Sequence, residues 1–284
     1  MIIDFHTHTF PEKISIKVMD KLSKVSGALP DTAGSVVALA DSMQNAGVNY
    51  SINLPVMTSP NQVISVNTGL IASKQDMLKN GIITFGGMHP DFIDYKTELK
   101  RLKQEGILGI KLHPAYQNMD LDDIRMMRII AYASELELIV LIHAGYDIGI
   151  YDHNYASVAH ILKVLREVQP EKFVLAHMGN WAFWDEVESD LAGAPVWLDS
   201  AFSIGPINQR QDGGIYPYNN VVLEDVDFLR LARKHGMDKI LFATDCPWQG
   251  QKKYVERFQH IGLTKEEQRL FFAENAVKLL GLSL

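Results

Sequence analysis

The chain has 284 residues, of which 47% are hydrophobic, so it is long enough to bury one large core. Its net charge is −7, and Lys and Arg are spread along the chain, which leaves no basic patch for nucleic acid or an anionic membrane surface. A single cysteine, Cys246, excludes an intramolecular disulfide.

The N-terminal segment, residues 1–6, lacks the basic stretch and long apolar run of a secretory signal. The longest apolar runs, such as residues 138–142, are too short to cross a bilayer. We therefore expect a cytoplasmic protein with a small-molecule substrate and neither a nucleic-acid nor a membrane partner. The sequence does not determine the oligomeric state, and a homodimer is one option because dimers are the commonest assembly.

Short runs rich in Ile, Val, Leu and Phe alternate along the chain with longer stretches of helical period. The predicted strands are residues 2–5, 50–54, 82–86, 109–112, 138–142, 173–176, 196–199 and 240–243. The predicted helices are residues 35–46, 62–79, 95–104, 124–136, 160–168, 185–191, 226–234 and 265–280. Thr264 and Glu267 have the spacing of a capping box at the start of the last helix.

Strands that alternate with helices indicate parallel pairing, and eight such units predict a single-domain α/β fold, a (β/α)8 TIM barrel over residues 1–284. Length alone also allows two small domains. An open doubly wound sheet is the rival architecture. The rival is weakened because no Gly-rich turn follows the first predicted strand, where a nucleotide-binding sheet would carry one.

Residues with metal-binding and acid–base side chains follow the predicted strands. Six of the ten histidines do so, and an aspartate follows the last strand: His6, His8, His89, His113, His143, His177 and Asp245. In a closed barrel the carboxyl ends of all strands lie on one face, where the active site is built. The fold would therefore bring these residues together.

His6 and His8 are two residues apart, so in an extended strand both side chains point to the same side and can hold one ion. Imidazole suits zinc and other late first-row metals. Alternatives remain for the other positions. A lone histidine such as His143 is often structural, and Asp245, followed by Pro247, can be a helix N-cap.

The chain resembles the amidohydrolase superfamily, and more closely its amidohydrolase-2 branch, which includes aminocarboxymuconate-semialdehyde decarboxylase-like enzymes. The most specific segments are residues 4–8 (Asp-Phe-His-Thr-His), 109–114 (Gly-Ile-Lys-Leu-His-Pro), 176–179 (Ala-His-Met-Gly) and 243–248 (Ala-Thr-Asp-Cys-Pro-Trp). The similarity extends over nearly the whole chain, to residues 274–276.

The resemblance implies a site built from four ligands to one divalent metal ion: His6, His8, His143 and Asp245. We expect zinc, with manganese as the second choice. The same resemblance implies that His177 is the catalytic acid/base of a one-metal enzyme or a ligand to a second ion, with Asp245 as proton acceptor. Lys111 is either an unmodified cation near the site, which we prefer, or a carboxylated bridge between two ions.

The implied enzyme is a metal-dependent hydrolase, in which a metal-activated water attacks a small amide, ester or lactone. A non-oxidative decarboxylase of an aromatic or unsaturated carboxylic acid is the first alternative, and a catalytically silent metal-binding barrel is the second. Histidine and aspartate ligands around an open mouth favour catalysis over a structural site. The predicted substrate contacts are Lys111, His113, His89, Tyr116 and Trp248.

One segment, residues 203–220, is too long for a minimal connection between strand and helix. Long loops in compact domains are commonly lids, so we expect this segment to cover the site.

Overall fold

The computed structural model describes residues 1–211 and 221–282, and in these ranges nine parallel strand segments run through the molecule. They are β1 (Ile3–Thr7), β2 (Tyr50–Asn53), β3 (Ile82–Thr84), β4 (Gly86–Gly87), β5 (Gly109–Leu112), β6 (Ile139–Ile142), β7 (Phe173–Leu175), β8 (Trp197–Asp199) and β9 (Ile240–Leu241).

The strands close into a barrel. β1, β2 and β3 pair in order, and β4 to β9 pair in order. Phe85 joins β3 to β4, and its N–H donates to Asn53 O at 3.0 Å, so these two segments form one barrel strand. The ring closes between β9 and β1, where the Phe5 N–H donates to Phe242 O at 2.8 Å. Nine segments thus make eight barrel strands, which confirms the predicted (β/α)8 fold.

Helices surround the barrel. They are α1 (Glu12–Ser26), α2 (Val36–Ala46), α3 (Gln62–Lys79), α4 (Tyr95–Gln104), α5 (Pro114–Gln117), α6 (Ile124–Glu135), α7 (Val158–Glu167), α8 (Trp184–Glu186), α9 (Asp225–His235), α10 (Gln251–His260), α11 (Lys265–Arg269) and α12 (Asn275–Leu280). Short π-helical turns, Val187–Leu191 and Leu270–Glu274, extend α8 and join α11 to α12. Turns of 3₁₀ type cover His177–Gly179 and Met237–Lys239.

The predicted helices agree with the structure to within a few residues, and the capping box at the start of α11 is present. The Glu267 N–H donates to Thr264 Oγ1 at 3.2 Å, and Glu267 Oε2 accepts from the Thr264 N–H at 2.8 Å. Helices α1, α5 and α10 were not predicted. In α1 the buried stripe is Ser15, Met19, Ser23 and Ser26, which repeats at helical spacing but is almost devoid of apolar residues.

Strand residues alternate between two apolar layers. Ile110 and Ile142 belong to the larger cluster, which also contains residues of the outer helices such as Ile129. Leu141 belongs with Phe5 to a smaller cluster. Because successive strand residues point to opposite faces, the first layer packs the helices onto the barrel and the second fills its interior.

The start of the long loop contacts the chain that follows α1. The Arg210 N–H donates to Gly27 O at 2.9 Å, and the Leu29 N–H donates to Asn208 O at 2.7 Å. The rest of the expected lid, residues 212–220, lies outside the described residues, so the lid stays a prediction. Within residues 1–211 and 221–282, no helix is long and apolar enough to cross a membrane.

Candidate metal centre

The histidine pair of β1 points into one small volume, as the period of two predicts. His6 Nε2 and His8 Nε2 are 3.1 Å apart, while Thr7 turns away and donates to Ile52 O at 2.8 Å. The pairing register of β1 with β2 shifts between Asp4 and Thr7. Such a bulge re-aims side chains beside active sites. His6 lies within β1, one residue before its end, whereas we predicted that the strand ends at Phe5 and that His6 follows it.

Asp245 follows β9, the last barrel strand, and its side chain lies beside the same histidine pair. Its Oδ1 lies 3.1 Å from His8 Nε2 and 3.7 Å from His6 Nε2. The Asp245 N–H donates to His6 O at 2.8 Å, so the backbone is tied to β1. Asp245 Oδ1 is buried and has no hydrogen-bond partner among the described residues. A carboxylate oxygen in this state needs a cation or a donor.

His143 and His177 form a second pair of facing nitrogens. His143 Nδ1 lies 2.9 Å from His177 Nε2, and the His177 ring is centred 5.3 Å from that of His6. The outer nitrogens of both rings donate to backbone carbonyls. His143 Nε2 is 3.0 Å from Tyr146 O, and His177 Nδ1 is 2.8 Å from Ala201 O.

The protons of these rings can be assigned from their partners. A carbonyl oxygen only accepts, so a ring nitrogen beside one carries the proton and the other nitrogen of a neutral ring has a lone pair. His8 Nδ1 lies 2.6 Å from Leu54 O, which leaves a lone pair on His8 Nε2. By the same argument, the facing nitrogens of His143 and His177 both carry lone pairs.

The proton of His6 is assigned in the same way, from a carboxylate partner instead of a carbonyl. Its Nδ1 donates to Asp199 Oδ2 at 2.9 Å, and Asp199 Oδ1 accepts from the N–H groups of His177 and Ala201. Four imidazole lone pairs and one unpartnered carboxylate oxygen therefore converge in one buried volume. Lone pairs that face one another repel, so the arrangement fits a cation, and this donor set is one that zinc or manganese accepts.

Lys111 lies at the base of this group. The side chain is buried, and its Nζ lies 3.2 Å from His6 Nε2. Burial lowers the pKa of Lys111 to about 8, against the opposing charges of Asp199 and Asp245. Burial also raises the pKa of Asp199 to about 7 and lowers the pKa of His177 to about 4. Each shift has the sign expected of an ionisable group taken out of water.

Another histidine–carboxylate group adjoins the first. The rings of His113 and His143 stack with centroids 4.2 Å apart, and Asp147 Oδ2 lies 3.6 Å and 3.9 Å from their respective Nε2 atoms. The Tyr116 ring is centred 4.4 Å from that of His113. Burial and the charges of Asp147 and Asp245 raise the pKa of Tyr116. The structure thus places His113 and Tyr116 beside the candidate metal group, and their roles in substrate binding stay predictions.

Two other predicted substrate residues, His89 and Trp248, form hydrogen bonds within their own turns. His89 makes its hydrogen bond within its own turn, where Nδ1 accepts from the Asp91 N–H at 3.2 Å. The Trp248 N–H donates to Asp245 O at 2.8 Å, and its side chain is half-buried against the core. Their roles in substrate binding stay predictions.

The sequence analysis named neither Asp147 nor Asp199 as a site residue. Asp147 lies four residues after His143 in a connecting loop, where no motif identifies it. Asp199 could have been found as the one carboxylate at the end of the seventh predicted strand. The side chain that it orients, His6, is 193 positions away in the chain.

The backbone at the site adopts unusual conformations. His177 has φ 59°, Met178 has φ 54° and Asp245 has φ 67°, which is the left-handed region that non-glycine residues rarely occupy. The Trp184 Nε1–H donates to His177 O at 3.0 Å and helps to hold that turn. Strained residues of this kind cluster at functional sites.

Comparison with known proteins gives one family and several related folds. Residues 3–282 match the family model described as Amidohydrolase. A search of curated proteins found no match. A solved structure of an uncharacterized TIM-barrel protein from Bordetella bronchiseptica is 18% identical with a TM-score of 0.75, and the match covers 99% of this chain and 98% of the other.

Two enzymes also share the fold. 5-Carboxyvanillate decarboxylase from Novosphingobium aromaticivorans, solved with manganese and 3-methoxy-4-hydroxy-5-nitrobenzoic acid, is 14% identical with a TM-score of 0.70, over 99% of this chain and 97% of the other. A probable 2-pyrone-4,6-dicarboxylic acid hydrolase from Acinetobacter baumannii, with citric acid bound, is 18% identical with a TM-score of 0.64, over 99% of both chains. At these identities the similarity establishes the TIM-barrel fold.

Proposed function

The chain belongs to the amidohydrolase family, and on that premise we propose that it is a hydrolase that uses one divalent metal ion to cleave a small amide, ester or lactone. The observation that carries the proposal is the convergence of proton-free donor atoms. His6 Nε2 and His8 Nε2 lie 3.1 Å apart, beside the buried and unpartnered Oδ1 of Asp245.

His6, His8 and Asp245 would hold the ion, with His143 Nδ1 as the fourth donor. The three form a group whose candidate ligand atoms all lie within 4.8 Å of one another. Zinc is our first choice and manganese the second, because both accept imidazole and carboxylate ligands. When bound, such an ion supplies a Lewis acid that polarises a carbonyl and makes water more acidic.

The protein's own groups move the protons of the reaction. Asp245 Oδ1 takes a proton from the attacking water. His177 Nε2, which has a lone pair, takes this proton from Asp245 and passes it to the departing nitrogen or oxygen as the bond from that atom to the carbonyl carbon breaks. The His177 Nδ1–H bond to Ala201 O, at 2.8 Å, fixes the ring so that Nε2 is the atom that takes up and releases the proton.

Lys111 gives the site a buried positive charge. The charges of Asp199, Asp245 and Asp147 favour the protonated form of this lysine, and the residue is 1% exposed. A substrate carboxylate or a developing oxyanion would find a preorganised partner there. We therefore favour an unmodified Lys111 and a single ion.

Decarboxylation is the second candidate, and the same buried cation favours it. A lysine beside the metal group can orient a carboxylated substrate, and His177 can protonate the carbon from which carbon dioxide departs. The 5-carboxyvanillate decarboxylase that shares the fold was solved with manganese and a substituted benzoic acid. Hydrolysis and decarboxylation would use the same ligands and differ in what the pocket accepts.

Metal analysis tests the proposal first. Protein purified without added metal should contain close to one equivalent of zinc or manganese, and His143→Ala should lose most of it. His260→Ala, which alters an exposed histidine of α10, is the matched control and should keep the metal. A wild-type protein that neither contains nor takes up a divalent ion would refute the proposed function.

Activity assays then separate the two reactions. The metal-loaded protein is screened against lactones, esters and amides by acid release, and against carboxylated aromatics by carbon dioxide release. Turnover in the first panel alone supports the hydrolase. Turnover in the second panel alone replaces it with the decarboxylase.

A further inference from the structure

His113 and Asp147 form a polar pair beside the candidate metal group that the reaction described above does not use. Their side chains are 7% and 9% exposed, so both are almost buried. His113 Nε2 lies 3.6 Å from Asp147 Oδ2, which is too far for a hydrogen bond. The pair lies one imidazole ring, that of His143, from the nitrogen that faces His177.

Backbone N–H groups of its own loop hold the Asp147 carboxylate rigidly. Oδ1 accepts from the Gly149 N–H at 2.8 Å, and the Ile150 N–H donates to Asp147 O at 3.0 Å, so a tight turn fixes the side chain. The nearest ring nitrogens to Oδ2, on His113 and His143, are 3.6 Å and 3.9 Å away. Oδ2 is therefore a fixed acceptor that lacks a short partner from either ring.

The two ring nitrogens that face Asp147 both carry protons. His113 Nδ1 accepts from the Tyr116 N–H at 3.3 Å, which places the proton of the neutral ring on Nε2. His143 Nε2 donates to Tyr146 O at 3.0 Å. Neither nitrogen offers a lone pair, so this group does not meet the needs of a second metal ion.

We propose that His113 Nε2–H and Asp147 Oδ2 form a subsite that recognises a hydroxyl group of the substrate. A hydroxyl accepts one hydrogen bond and donates another, which matches one donor and one acceptor 3.6 Å apart. A substrate carboxylate would be repelled by Asp147, and an alkyl group would offer no donor to Asp147 Oδ2.

The substrate class follows from this subsite and rests on the proposed function. The metal group and Lys111 take the reacting carbonyl or carboxylate, and the subsite lies one imidazole ring away. The substrate is therefore a small carbonyl compound with a hydroxyl group a few atoms from the reacting carbon. A site built to bond a hydroxyl discriminates strongly against the analogue that lacks it.

The test compares two small acids that differ by one hydroxyl group, 3-hydroxybutanoate and butanoate. Their dissociation constants are measured by calorimetry on the zinc-loaded full chain and on three variants. Wild type should bind 3-hydroxybutanoate about 10- to 100-fold more tightly, the range for a hydrogen bond to a charged group. Asp147→Asn keeps the acceptor for Gly149 and should abolish that preference. Asp152→Asn, an exposed neighbour in the same loop, should retain it.

The experiment distinguishes failure of the subsite from failure of the proposed function. Equal binding of both acids by wild type, or a preference that persists in Asp147→Asn, overturns the subsite. If Asp147→Asn does not fold, His113→Gln tests the donor side and should weaken the same preference. Metal content is measured on every sample. If wild type binds no metal but still prefers the hydroxy acid, and Asp147→Asn removes that preference, the proposed hydrolase is refuted and the subsite is supported. Two equivalents of metal, with one lost in Asp147→Asn, would overturn the subsite in favour of a second ion.

Discussion

Two buried groups of histidine and carboxylate lie side by side at the mouth of the barrel, and they have nearly the same composition. His6, His8 and Asp245 make up one group, and His113, His143 and Asp147 make up the other. In the first group the facing nitrogens have lone pairs, because their outer nitrogens donate to Leu54 O and Asp199. In the second group the nitrogens that face the carboxylate carry the protons.

The difference shows that residue type alone does not identify a metal site. The backbone carbonyls and amides around each ring decide which nitrogen has the lone pair, and with it whether the group attracts a cation or a hydrogen-bonding substrate. His143 belongs to both groups, since its Nδ1 faces the first and its Nε2 faces the second.

The largest expected difference between the two groups comes from making the same substitution, Asp to Asn, in each of them. Asp245→Asn removes a charge and the proton acceptor from the metal group, so we expect loss of most bound metal and a fall in kcat/KM of about 10²- to 10⁴-fold. Asp147→Asn should keep the metal. Elemental analysis and steady-state kinetics measure both effects. Equal metal loss in the two variants would remove the distinction between the groups.

Asp199→Asn tests the hydrogen bond that sets the lone pair of His6. The amide can present its NH₂ to His6 Nδ1, which would turn the ring to the wrong tautomer, so metal affinity should fall by about 10- to 100-fold. Competition with a chelator measures the affinity, and thermal unfolding checks the fold. Asp190→Asn, an exposed change of the same kind, is the control. Unchanged affinity in a folded Asp199→Asn would show that the tautomer is set elsewhere.

Lys111→Met tests the charge between the two groups. The substitution keeps most of the buried volume but removes the ammonium, so KM for a carboxylated substrate should rise by about 10-fold or more. Metal content should remain at one equivalent, with or without added bicarbonate. A second equivalent that appears in wild type with bicarbonate and is lost in Lys111→Met would show that the lysine is a carboxylated bridge.

The smallest expected effect is on the pH dependence of stability, and it comes from a histidine outside both groups. His235 is buried, its Nδ1 accepts from the Gly193 N–H at 3.2 Å, and its Nε2 donates to Val196 O at 3.0 Å. Burial lowers the pKa of His235 below its usual 6.5. Between the two pKa values, His235 binds a proton in the unfolded chain but not in the folded one. Its contribution to the free energy of unfolding is therefore present above pH 6.5 and is lost as the pH falls toward the folded-state pKa.

His235→Gln should remove this part of the pH dependence. Urea unfolding at pH 7 and pH 5 measures the change, which for one proton is at most about 1.4 kcal/mol per pH unit. His260→Gln on the exposed face of α10 is the control, and it should lose as much stability as wild type. The same loss in His235→Gln would show that His235 does not contribute.

Much of the fold was readable from local pattern. Alternating apolar strands and amphipathic helices predicted the barrel, because strand and helix periods are properties of short segments. The family match confirms the resemblance. We also missed α10, although its buried Tyr254, Val255 and Phe258 repeat at helical spacing. The pattern itself failed at α1, whose buried stripe is mainly serine. A stripe of polar residues has no hydrophobic period to detect.

The sequence by itself placed the strand-end histidines and Asp245 at the mouth of the barrel, because the end of each strand is fixed by local apolar runs and all ends share one face. Only the tertiary structure decided which nitrogen of each ring carries the proton. The partners that assign each proton, such as Asp199 for His6 and Ala201 O for His177, lie 193 and 24 positions away along the chain. A lone pair is set by contacts in space, so no spacing within a strand could reveal it.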